Sequence, residues 1–197
     1  KGAGDVNGDG YSDFIIGEPY RDMEDFYDAG MVYVYLGGPK AGVLKGGQQN
    51  MVWTAQGNSD HMHFGISVST AGDVNGDGYS DIMVGAEKHC NGQNYEGGVF
   101  VWYGSENGVN DSVPGTISNA KWSAESNQVN ARLGISVSTA GDVNGDGFSD
   151  VIAGACRYDI DKNETDDGKA FVWYGSKNGL HGGVKGTPVN ADWSIDG

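Results

Sequence analysis

The stretch Asp5-Val6-Asn7-Gly8-Asp9-Gly10-Tyr11-Ser12-Asp13 returns at residues 73–81 and again at 142–150 with one aromatic exchanged for another. Each copy sets oxygen-bearing side chains at its first, third, fifth and ninth positions. These are Asp5, Asn7, Asp9 and Asp13; Asp73, Asn75, Asp77 and Asp81; and Asp142, Asn144, Asp146 and Asp150. Calcium takes about six to eight hard oxygens at roughly 2.3–2.6 Å, and a glycine at the sixth position permits the turn that lets one short loop supply most of them. The pattern predicts three calcium sites, one per copy. Three carboxylates within one loop repel strongly unless a cation sits among them. A tight turn alone also favours Asp, Asn and Gly, but it does not require four oxygens held at fixed positions in every copy. The helix-flanked calcium loop is disfavoured, because its twelfth position needs a bidentate glutamate. That position here holds Ile16, Val84 or Ala153, and β-type residues follow.

The elements that must position these loops are set by their period. Asp5 to Asp73 is 68 residues and Asp73 to Asp142 is 69, and Trp53, Trp122 and Trp193 keep a similar spacing. Within the middle copy, Gly65–Ala71 alternates apolar and small polar residues, and Asp81–Ala86 is a short apolar run. Gly98–Tyr103 and a stretch from Ala120 to Ala124 complete four strand signals, with the calcium loop joining the first two. No segment sustains a 3.6-residue apolar period, so little or no helix is expected. Four antiparallel strands per period is a propeller-blade pattern, and one such sheet cannot bury both its faces alone. The fold class is therefore all-β, with about three blades over residues 1–57, 61–126 and 130–197, and the tryptophans are expected between blades. Closed propellers use about four to eight blades. The chain also opens in mid-repeat, so it is expected to be a segment of a larger propeller.

Composition agrees. Glycine is abundant, at 35 residues, without a collagen period, and aromatics at 11% argue against disorder. A net charge of -15 excludes nucleic acid as an expected partner, since phosphate recognition needs basic clusters. The calcium loops account for a third of the 27 acidic residues. No apolar run approaches the length of a membrane span, so no membrane insertion is expected.

Other motifs are weaker. Cys90 and Cys156 lack metal spacing and read as two unpaired thiols, with a bridge left open. His61-Met62-His63 reads as surface histidines in a loop rather than a transition-metal pair. The acidic stretches 22–28 and 159–167 join second and third strands and read as solvated rim loops, with a partner-binding or second-cation role as the alternative. Asn110-Asp-Ser112 and Asn163-Glu-Thr165 match the glycosylation pattern. No nucleophile elbow, zinc-protease motif or phosphate loop occurs, so no catalytic set is expected.

Phe64-Gly65, the calcium loop and Val84-Gly85-Ala86, with Leu133-Gly134 and Ile152-Ala153-Gly154-Ala155, resemble the FG-GAP repeat of integrin α-subunit propellers and their bacterial relatives. Glu18-Pro19, Glu87 and Cys156 depart from the family's Gly-Ala-Pro. The resemblance implies a seven-bladed propeller with calcium in the hairpin between first and second strands. It also implies that the carbonyls of Tyr11, Tyr79 and Phe148 complete the three cages. The near-identical copies are similar to a bacterial surface or secreted member. The resemblance thus implies a non-catalytic, extracellular or cell-surface adhesion or assembly module. Its expected partner is another surface protein or a glycan, beside other blades of the same or a neighbouring chain. The alternatives are an accessory propeller of a secreted, phospholipase-like hydrolase, or a structural subunit of a surface layer or filament.

Overall fold

The computed structural model describes residues 1–38, 51–160 and 166–197. Among these residues twelve strands form three four-stranded antiparallel sheets, each in simple sequential order. The first contains β1 (Gly2–Gly4), β2 (Asp13–Glu18), β3 (Met31–Tyr35) and β4 (Met51–Gln56). The second contains β5 (Phe64–Gly72), β6 (Asp81–Ala86), β7 (Gly98–Trp102) and β8 (Trp122–Glu125). The third contains β9 (Leu133–Gly141), β10 (Asp150–Ala155), β11 (Lys169–Trp173) and β12 (Trp193–Asp196). Among the described residues there is no α-helix, only short 3-10 turns such as Val109–Ser112 and Leu180–Gly183. Among the described residues the protein is an all-β stack of three four-stranded blades, the arrangement of a partial propeller.

Burial shows why three such sheets belong together. Every residue of β6 and β7 is buried, because the middle sheet is covered on both faces. β3 alternates buried and half-buried residues, as a strand with one covered face does. One core is filled by Val32, Val34, Trp53, Phe64, Phe100 and Trp102 between the first and second sheets. A second is filled by Val99, Val101, Trp122, Leu133, Phe171 and Trp173 between the second and third. Equivalent indoles meet edge to face in both, with Trp53 and Trp102 at 5.4 Å and Trp122 and Trp173 at 5.3 Å.

The blade tryptophans behave as expected in two copies and not in the third. Trp53 and Trp122 are 3% exposed, and their Nε1–H groups donate to the Val113 and Val184 carbonyls of the following sheet at 2.7 and 2.8 Å. Trp193 is 47% exposed, since no fourth sheet covers it among the described residues.

Candidate functional site

Each predicted loop is the hairpin between the first and second strands of its sheet, and all three fold alike. The first aspartate of each organises the turn. Asp5 Oδ1 accepts the N–H groups of Gly8 at 2.7 Å and Asp9 at 3.1 Å, and Oδ2 accepts Gly10 N–H at 2.8 Å. Asp73 accepts the matching N–H groups of Gly76, Asp77 and Gly78, and Asp142 those of Gly145, Asp146 and Gly147. The glycines at the fourth and sixth positions hold φ from 73° to 92°, the left-handed region where they escape a Cβ penalty. Asn7, Asn75 and Asn144 donate through Nδ2 to Asp9, Asp77 and Asp146, whose other oxygen accepts the N–H of the position-seven aromatic.

The ninth-position aspartates are the buried ones, with Asp13 at 2% exposure and Asp81 and Asp150 at 0%. Each ties its hairpin to the third strand. Asp81 Oδ2 accepts Val74 N–H and Oδ1 accepts Gly104 N–H, both at 2.9 Å, and Asp13 and Asp150 make the same pair of bonds. Burial pushes the Asp81 carboxyl up to about 8 against those two N–H donors, with Asp77 and Asp73 adding repulsion. Burial likewise raises Asp13 above its ordinary value. The Tyr103 phenol is pushed up to about 12 by burial and by Asp81 and Asp77.

Among the described residues, no three His, Cys, Asp or Glu side chains are gathered as a metal-holding group. The oxygens of the first, third and fifth positions face the loop's own N–H and amide groups instead. The donor set nevertheless fits a hard cation. Each loop carries three carboxylates and a carboxamide and no nitrogen or sulfur ligand, and every one of its carboxylates has an oxygen that accepts a single N–H and keeps a second lone pair.

The remaining sequence expectations divide. Cys90 and Cys156 are free. His61 is exposed and pairs with Asp28 at 3.0 Å. His63 corrects the surface reading: it is 6% exposed, and its Nδ1 lies 3.1 Å from the buried Glu87, which also accepts from Arg132 at 3.3 Å. Burial wins here because the short linker between sheets carries His63 into the seam. Asp22 in the first acidic stretch caps its own loop by accepting Asp28 N–H. Asp161, Glu164 and the Asn163-Glu-Thr165 pattern lie outside the described residues. Asn110 is 8% exposed, and its Nδ2 is held by the Val113 carbonyl at 3.0 Å, so the folded chain does not offer it to a glycosylating enzyme.

Two features escaped the sequence reading. The serine at the eighth loop position recurs as Ser12, Ser80 and Ser149, and that recurrence is a signal whose meaning appears only across sheets. A polar cluster of Glu125, Asn91, His89 and Lys185 joins the second and third sheets and has no counterpart motif in the repeat.

Residues 2–35, 64–102 and 133–173 match the FG-GAP repeat. Over 157 residues the chain is 33% identical to integrin alpha-PS3 of Drosophila melanogaster, covering 78% of this chain and 13% of that protein. Over 162 residues it is 33% identical to integrin alpha-5 of Xenopus laevis, covering 80% of this chain and 14% of that one. The chain thus spans a small part of the length of these relatives. The crystal structure of rhamnogalacturonan lyase YesW aligns with all of this chain and 34% of its own at a TM-score of 0.47 and 11% identity, a likeness too slight to carry any argument.

Proposed function

The chain belongs to the FG-GAP repeat family, and we propose that it is a calcium-stabilised, non-catalytic interaction module of an extracellular or cell-surface protein. In this reading, residues 1–57, 61–126 and 130–197 are three consecutive blades of a longer, seven-bladed propeller. The observation that carries the proposal is the threefold recurrence of one all-oxygen donor set in one hairpin position of a rigid stack. Asp5, Asn7, Asp9 and Asp13 would hold the first ion, with the Tyr11 carbonyl. Asp73, Asn75, Asp77 and Asp81 with Tyr79 would hold the second, and Asp142, Asn144, Asp146 and Asp150 with Phe148 the third.

A bound calcium ion supplies positive charge to three mutually repelling carboxylates. The chain's own residues do the rest. The first aspartate orders the turn, and the ninth fastens the hairpin to the third strand. Loops joining second and third strands lie at the other end of each sheet, because strands run antiparallel. Unlike the cation loops they differ from copy to copy, as the segments 19–30 and 87–97 show. Varied loops on a rigid scaffold are where a partner is recognised, so a surface protein or a glycan is assigned to that end. No helix among the described residues is long and apolar enough to cross a membrane. Extracellular calcium is plentiful enough to fill even modest sites.

The test is thermal unfolding of chelated protein with and without millimolar calcium. Ligand at a thousand times Kd stabilises the folded state by about 4 kcal/mol, so Tm should rise by several degrees. An unchanged Tm would sink the proposal.

A further inference from the structure

The three loops share their first six residues, yet their surroundings differ. Val6 and Val74 are completely buried, whereas Val143 at the same position is 56% exposed. The cover comes from the next loop along the stack. Ser80 N–H donates to the Asp5 carbonyl at 2.9 Å, and Asp5 N–H donates back to Ser80 Oγ at 3.2 Å. Ser149 N–H donates to the Asp73 carbonyl at 2.9 Å in the same way. The aromatic rings next to these serines close over the loop tips: a Cβ on Gly8 would lie 2.8 Å from a Tyr79 ring carbon, and one on Gly76 would lie 2.6 Å from Phe148. For Gly145 nothing lies within 4 Å, and among the described residues no serine reaches Asp142.

We infer that Ser80 and Ser149, with the rings of Tyr79 and Phe148, are positioning residues for the loop before their own, so that each cation loop is completed by its successor. The inference rests on the cation reading of these loops. Asp5 and Asp73 are the residues whose carboxylates collect three loop N–H groups, so fixing their backbone fixes the donor that orders the whole turn. Clamping it beforehand reduces the ordering that binding must impose. Partners standing behind metal ligands in this manner typically change affinity by about 10–100-fold. The third loop has no successor among the described residues, so in a protein limited to residues 1–197 it should bind most weakly.

Calcium alone, titrated into the chelated protein of residues 1–197, tests this when the amide resonances of Gly10, Gly78 and Gly147 are followed. Each of these N–H groups donates to its own loop's first aspartate, at 2.8, 2.9 and 2.9 Å, and so reports one loop. Gly147 should reach its midpoint at roughly tenfold higher calcium than Gly10 and Gly78. Ser80→Ala should move the Gly10 midpoint upward by roughly tenfold while Gly78, in the loop that contains the substitution, stays near its wild-type value. A merely structural serine would do the reverse. Ser80→Ala moving Gly78 alone, or neither glycine, overturns the inference and leaves the cation reading intact. Silence at all three glycines overturns both. Should Ser80→Ala fail to fold, Phe148→Ala, which removes the ring that covers Gly76, read at Gly78 against Gly147 decides by the same criteria.

Discussion

Glu125, at the end of β8, is only 7% exposed and yet is held as a carboxylate. Burial opposes its charge, but Asn91 Nδ2 donates to both its oxygens at 3.0 Å and Lys185 Nζ lies 2.7 Å away, with His89 Nε2 at 3.7 Å. These partners prevail, and its pKa is lowered from 4.5 to about 2. A carboxyl more acidic in the folded than in the unfolded chain adds stability that is complete above about pH 4.5 and lost as pH falls toward 2. We expect wild type to lose on the order of 2 kcal/mol more than Glu125→Gln between pH 5 and pH 2. Urea unfolding at fixed calcium measures this, and parallel pH profiles would contradict the assignment. Lys185 and Glu125 lie 60 residues apart, so no local pattern announced the pair. The loop aspartates were legible because a hairpin compresses their chemistry into nine consecutive residues. His63 was not, since its burial depends on Glu87 and Arg132 arriving from two other segments.

Strands approach most closely where glycine faces glycine across two sheets. A Cβ on Gly17 in β2 would lie 2.0 Å from the Gly65 carbonyl oxygen, and one on Gly85 in β6 would lie 2.0 Å from that of Gly134. Backbone cannot yield by that much. The equivalent glycine in β10, Gly154, would meet only the Oγ of Ser136 in its own sheet, at 2.6 Å, and a hydroxyl can rotate away. We therefore expect Gly85→Ala to destabilise by roughly 2–3 kcal/mol and Gly154→Ala by less than about 1 kcal/mol. Equal losses in denaturant melts would mean that inter-sheet contact is not what the glycine serves. The strands themselves were largely readable. Asp81–Ala86 is β6 to the residue, and Gly98–Tyr103 and Gly65–Ala71 each differ from β7 and β5 by a residue or two at their ends. The fourth strand, expected from Ala120 to Ala124, runs from Trp122 to Glu125, because the turn at Ile117–Asn119, capped by Thr116, takes up the residues before it. Periodicity could not show which glycine touches which sheet, a property of stacking alone.

Three sheets stacked in a row contact only their neighbours, so stability is shared between units and the seams joining them. The middle sheet belongs to both cores, whereas the third sheet belongs to one. All of β6 and β7 is buried, whereas every residue of β12 is exposed. Trp122 is locked to the Val184 carbonyl in the second seam, and Trp193 stands 47% exposed beyond the last. Opening β12 therefore uncovers little apolar surface, while opening β6 must break two seams at once. Native-state hydrogen exchange should show this as a gradient. Amides of Met83, Val84 and Val101 should exchange only through global unfolding, with a denaturant dependence equal to that of the whole chain. Those of Ser194 and Ile195 should exchange through local opening, faster by about a hundredfold or more if the two openings differ by some 3 kcal/mol. Exchange from β12 as slow as that from β6 would show that the three blades unfold as one unit and that the exposed face carries no energetic penalty.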